Sequence, residues 1–250
     1  ICTIVDIEGE PREILFYIPE NASELQPDGA PVITVWAGGS QTNIIFFDST
    51  CWWETANQNG IALIFTNEAY NTSVAVTPAD VDACYHAMLD LLEGWNDSGK
   101  FQFDLSRIYS TGQSMGSMES QQFAQETPDY YAAVASTSFY QDYPDAHSDK
   151  PIPTYLINGE GNGKDDTGTP YDDRWNRTDD WAQYFLRVNG FVYTPAVYAA
   201  DGTVTTFGVP VSEPVFTVTG PYDRFETYTW INGQLSLIHI SEPTRRVVIS

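Results

Sequence analysis

The 250 residues carry 42% hydrophobic and 18% charged side chains, a balance that suits one globular domain with a full core rather than a disordered chain. A formal charge of −23 argues against nucleic acid and anionic membranes as partners, because their phosphates repel such a surface, and it leaves neutral polysaccharides, plant-wall esters and uncharged polyesters open as substrates. No apolar run approaches the roughly 18 residues that a membrane-spanning helix needs.

In chain order, Glu13 to Ile18 reads as a strand ending at Pro19, and Pro31 to Trp36 as a short buried strand followed by the glycine turn Ala37-Gly38-Gly39-Ser40. Asp48 to Asn59 is helical in character and closed by Gly60, and Ile61 to Thr66 is a second buried strand. Thr77, Pro78 and Asp80 make a helix start, after which Val81, Cys84, Tyr85, Met88, Leu91 and Leu92 recur at helical spacing. Ser106 to Ser110 is a strand, Gly112 to Gly116 a turn, and a helix follows to about Glu126. Ala132 to Ser136 and Thr154 to Ile157 are further strands, and Asp179 to Val188 is a helix closed by Asn189-Gly190. Val197 to Ala199 and Val204 to Phe207 flank Asp201-Gly202 as a hairpin, and Val215 to Val218 and Phe225 to Trp230 are late strands. Strands alternating with helices of ten or more residues predict βαβ units on a mainly parallel sheet, in one domain.

Gly112-Gln113-Ser114-Met115-Gly116 matches G-x-S-x-G. On its own the pattern is weak, and an ordinary glycine-rich turn would also produce it. Its placement between a predicted strand and a predicted helix is what a nucleophile elbow requires: a tight apex, small residues two positions either side, and a helix N-terminus beneath the hydroxyl. Ser114 is therefore the candidate nucleophile. The Met115 N–H and the amides of Gly38 and Gly39 are the candidate oxyanion donors, since a glycine turn after an earlier strand frees N–H groups for a substrate.

The run Asp104-Leu105-Ser106-Arg107-Ile108-Tyr109-Ser110-Thr111-Gly112-Gln113-Ser114-Met115-Gly116 resembles the D-x-x-R-I-Y-x-x-G-x-S-x-G of the secreted esterase family that includes polyhydroxybutyrate depolymerases, feruloyl esterases and acetyl xylan esterases. Phe123-Ala124, Pro128 to Ala135, the Trp53 to Ala56 helix and the Ile61 to Phe65 strand fit the same pattern, over about residues 12 to 234. The resemblance implies an α/β-hydrolase fold, ester hydrolysis, an extracellular location, and neither metal nor cofactor. Two positions depart from it. Ala37 stands where the family has a histidine, and Asn162 stands where it has the triad's aspartate, leaving Asp165, Asp166 and Glu160 as alternative acids, with Asp165 ahead. Asp165 and Asp166 read equally as a solvated acidic loop.

A triad also needs a base, and three histidines are present. His86 lies in a strongly helical segment, as a surface or packing residue. His147 precedes the acid strand, whereas the order in this fold is serine, acid, histidine. His239 has the right order but lies in 235–250, a string that resembles a translated sequencing adapter and sets Arg245-Arg246 after a very acidic body. The expected organisation is thus an esterase domain over 1–234 and a non-native tail over 235–250, the base belonging to the natural sequence after Gln234; a real final strand is the alternative. Cys2, Cys51 and Cys84 permit one disulfide or none, and no Cys51–Cys84 bridge is expected, because the helices carrying them flank opposite sheet faces. Four Asn-x-Ser/Thr triplets, from Asn21, Asn71, Asn96 and Asn176, and a start at Ile1 without a leader say nothing firm about secretion. Trp52, Trp53, Tyr140 and Trp175 are candidates for a sugar- or aryl-binding cleft, or else packing residues. The rival reading is a non-catalytic carbohydrate-binding module on a degenerate hydrolase scaffold; a peptidase on the same fold has little specific support.

Overall fold

The computed structural model describes residues 1–7, 10–39, 41–67, 78–138, 148, 150–160, 184–185, 187–190, 197–198, 204–206, 215–219, 225–232 and 235–243. Among them a ten-stranded sheet runs in the order β1-β2-β4-β3-β5-β6-β7-β12-β11-β10. Its strands are β1 (Cys2–Ile7), β2 (Glu10–Tyr17), β3 (Ala30–Trp36), β4 (Ala62–Asn67), β5 (Phe103–Gln113), β6 (Ala133–Thr137), β7 (Thr154–Glu160), β10 (Val215–Thr219), β11 (Phe225–Asn232) and β12 (Leu235–Pro243). The centre, from β4 to β12, is parallel, and antiparallel strands finish both flanks. β8 (Val197–Tyr198) and β9 (Val204–Thr206) pair separately as an antiparallel hairpin, as the sequence predicts.

Alternation along β3 sends side chains to two cores. Val32 and Trp36 join Ile64, Ile108, Val134 and Leu156 on one face, beneath α4 (Pro78–Asp97) and α5 (Met115–Glu126), which contribute Met88, Leu92 and Phe123. Val35 joins Leu63 and Phe65 on the other face, covered by Phe46 of α2 (Asn43–Thr50) and Ala56 of α3 (Trp52–Asn59). A short α1 (Ala22–Leu25) precedes β3. The single helix predicted over Asp48–Asn59 is two helices. Thr42 caps α2 by accepting from the Ile45 N–H, and Cys51, at φ 53°, breaks the path before α3 ends on Gly60 at φ 68°. A left-handed residue turns the axis, which helical spacing alone does not reveal.

No disulfide joins the three cysteines, with Cys51 exposed beside α2 and Cys84 buried on α4 under the other face. Of the helix predicted over Asp179–Val188, residues 184, 185, 187 and 188 are helical and the rest lie outside the described residues; Gly190 (φ 80°) closes it, and Asn189 grips Ile152 through both its N–H and its C=O. Residues 235–243, set apart in the sequence as a tail, run as β12 between β7 and β11. A ladder is built from main-chain groups, so the pairing accommodates either origin for these residues. Among the described residues no helix is long and apolar enough to cross a membrane.

Candidate active site

β5 ends at Gln113 and α5 begins at Met115, so Ser114 alone makes the turn, at φ 58° and ψ −117°. For a non-glycine residue this conformation costs about 1–3 kcal/mol and persists only where its surroundings over-determine it. They do so here in two ways. The Ser114 N–H donates to the Thr137 carbonyl at the end of β6 (3.0 Å), and its carbonyl accepts from the Ser117 N–H (3.0 Å). The flanking glycines let three segments meet: a Cβ on Gly112 would stand 1.9 Å from the Gly116 carbonyl oxygen, and one on Gly116 would stand 2.0 Å from that of Trp36. No side chain fits at either position.

The face that α5 turns to the sheet is polar as well as apolar. Trp36 Nε1 donates to Ser110 Oγ (3.1 Å), Ser110 Oγ donates to Ser120 Oγ (3.1 Å), and the Phe123 ring lies 5.4 Å from that of Trp36. Buried hydroxyls of this kind bond in one register only, which fixes the helix against rotation and holds its N-terminus under Ser114. The half-buried Ser114 thus sits at the positive end of a twelve-residue helix.

The loop after β3 lies alongside. A Cβ on Gly39 would meet Met115 Sδ at 2.6 Å, and one on Gly38 would meet Gln113 Oε1 at 3.0 Å, so both glycines abut the elbow. They are not equivalent as donors. The Gly38 N–H donates to Gln41 Oε1 (2.9 Å), whereas among the described residues no acceptor takes the Gly39 N–H. Ala37, where the resemblance expects a histidine, is half-buried at the end of β3.

Of the candidate acids, Asp165, Asp166 and Asn162 lie outside the described residues. Glu160 is the last residue of β7, which ends at the same sheet edge as β5. The histidines divide by topology. His86 on α4 has Nε2 3.1 Å from Tyr130 Oη and 3.5 Å from Asp82, and Tyr130 immediately precedes β6, at the edge opposite Ser114. It is the surface residue that helical spacing predicts. His239 lies within β12, in the row Trp36, Gly112, Ser136, Leu156, His239. Its backbone is three strand spacings of about 4.8 Å from β5, or about 14 Å, and inside the ladder rather than in a loop beyond it. His147 lies outside the described residues.

Trp52 and Tyr155 line a cavity of about 190 Å³ against Tyr109, Thr111, Ala133 and Ala135, on the sheet face away from α5. Trp53 is 37% exposed; Tyr140 and Trp175 lie outside the described residues. Two parts of the site escape sequence reasoning. The Thr137 carbonyl carries no sequence signal, whereas Gln41, three positions after Gly38, was there to be weighed as a loop brace.

No family model and no curated protein sequence matches the chain. Among solved structures it is similar to an acetyl xylan esterase from Aspergillus awamori, at 14% identity and a TM-score of 0.59 over 96% of this chain and 92% of that one. It is similar as well to a ferulic acid esterase, at 14% identity and a TM-score of 0.51 over 64% of this chain and 78% of that one. At such identity the likeness concerns the fold, and with the 4-3-5-6-7 strand order and the single-residue turn at Ser114 it leads to one statement: this chain has the α/β-hydrolase fold.

Proposed function

We propose that the protein is a secreted serine carboxylic-ester hydrolase working through an acyl-enzyme on Ser114. One observation carries the reading. Ser114 is held in a strained single-residue turn at a helix N-terminus, with Gly39 of the loop after β3 against the Met115 side chain. In the reaction Ser114 Oγ attacks the acyl carbon and its proton passes to a base. The carbonyl oxygen becomes an oxyanion facing the Met115 and Gly39 amides, where each donor contributes about 2.7–4 kcal/mol. The alkoxide leaves with the proton, and water then releases the acid. Asp165 is the proposed acid. Residues 235–250 are proposed to be foreign to the domain, the base then being a histidine of its natural sequence.

The substrate class follows from charge and likeness. A surface of −23 favours uncharged esters, and the similar structures act on acetyl xylan and on ferulic acid esters, so acyl esters of neutral plant-wall polysaccharide are proposed ahead of polyesters such as polyhydroxybutyrate. The second reading, a carbohydrate-binding module, draws on Ala37, on Asn162 and on the lack of a histidine in triad order outside residues 235–250. Hydrolysis of p-nitrophenyl acetate separates the two. Measured on the domain with its natural sequence in place of residues 235–250, the expected result is a rate that Ser114→Ala lowers to the roughly 10³–10⁴ over the uncatalysed reaction that triad enzymes lacking a member keep. Equal rates in both proteins would leave only the binding module.

A further inference from the structure

The loop after β3 is closed on itself by one residue. The Gly38 N–H donates to Gln41 Oε1 at 2.9 Å, and the Gln41 N–H donates back to the Gly38 carbonyl at 3.2 Å. Gln41 therefore occupies both main-chain groups of Gly38. That glycine is buried, and a Cβ on it would meet Gln41 Oε1 at 2.8 Å and Gln113 Oε1 at 3.0 Å, so the ring is packed against the residue preceding Ser114. Gly39 differs on each count. It is exposed, it lies against Met115, and among the described residues no acceptor takes its N–H or that of Met115. The loop thus presents one satisfied amide and one open amide side by side.

We propose that Gln41 is the positioning residue of the oxyanion site, withdrawing the Gly38 N–H and holding the turn so that the Gly39 N–H is the second donor beside that of Met115. This rests on the serine-esterase reading. The physical reason is the cost of a buried unsatisfied donor. Without an acceptor at position 41, the Gly38 N–H turns toward the nearest oxygen and drags the Gly39 peptide with it. A displacement of about 1 Å at a reacting centre is worth up to about 10²-fold in rate. A neutral amide oxygen also suits the place better than a carboxylate, which would set a negative charge beside the forming oxyanion.

The test uses a fluorophosphonate probe on the domain with its natural sequence in place of residues 235–250. The Ser114 Oγ–P bond forms as the P–F bond breaks, fluoride leaves, the hydroxyl proton passes to the base, and the phosphonyl oxygen takes the oxyanion's place. Amide hydrogen exchange of the unsubstituted protein is followed before and after labelling. Gly38 is expected to exchange slowly in both states, and Gly39 to become protected only on labelling. Gly38 gaining protection on labelling, or Gly39 gaining none, overturns the proposal without any variant. Gln41→Met, close in size but lacking the oxygen, is expected to lose the Gly38 protection and label at least tenfold more slowly, with its melting temperature little changed. Gln41→Glu is expected to restore the Gly38 protection while labelling stays slow. Labelling of Gln41→Met at the unsubstituted rate defeats the positioning role alone, whereas absence of any Ser114-dependent labelling removes the esterase reading and this one with it.

Discussion

The two ends of β5 belong to one run of sequence and are built on opposite principles. At the C-terminal end, Gly112, Ser114 and Gly116 are held by what is missing: two absent side chains let backbone approach backbone, and the strain falls on Ser114. At the N-terminal end everything is contact. Arg107 donates from Nε to Asp104 Oδ2 (2.6 Å), from Nη2 to the Gly29 carbonyl (2.7 Å) and from Nη1 to Gln26 Oε1 (3.3 Å), tying β5 to the turn that enters β3. Asp104 in turn accepts from the Ser106 N–H and hydroxyl. The run from Asp104 to Gly116 is thus half strained turn and half clamp. The difference teaches that its two halves should fail differently when altered.

Gly112→Ala should show the largest effect. A Cβ 1.9 Å from a backbone oxygen has no flexible neighbour to yield, so the turn must open, and a loss of about 4 kcal/mol or more is expected in urea unfolding. Stability like that of the unsubstituted protein would mean the three segments are not clamped as described. Ser114→Gly separates strain from chemistry. Relief of the positive φ should raise stability by about 1 kcal/mol while fluorophosphonate labelling disappears. A destabilised glycine variant would show that the serine conformation stores no strain. At the other end, Arg107→Ala should lower stability by about 1–3 kcal/mol and leave the labelling rate of Ser114 unaltered. A labelling defect there would collapse the distinction between the two ends.

The smallest effect is electrostatic. The Ser106 hydroxyl first, then Arg107, hold the Asp104 carboxyl below its ordinary range. A folded-state value below the unfolded one contributes stability above the unfolded value and loses it as the pH falls through the folded one. The melting temperatures of the unsubstituted protein and Asp104→Asn should therefore differ at neutral pH and converge below about pH 4, the ordinary carboxylate range. A gap that is constant with pH would show that the charge contributes nothing.

By itself the sequence determined what neighbours a few positions apart can decide. The elbow was legible because its requirement is local, a serine with glycines two residues either side between a strand and a helix, and so were the Gly60 stop, the periodicity of α4 and the β8–β9 hairpin. Tertiary structure decided whatever depends on meeting a distant segment. β5 starts at Phe103, ahead of the predicted Ser106, because Phe103 pairs with Ala30. β1 exists as a flank on β2, and residues 235–243 lie in the sheet beside β7, through main-chain pairing that leaves little trace in side-chain pattern. The same physics distinguishes the two glycines of the loop after β3. Both are free of side-chain restraint, and only the folded loop shows that Gln41 takes the Gly38 amide and leaves that of Gly39 open.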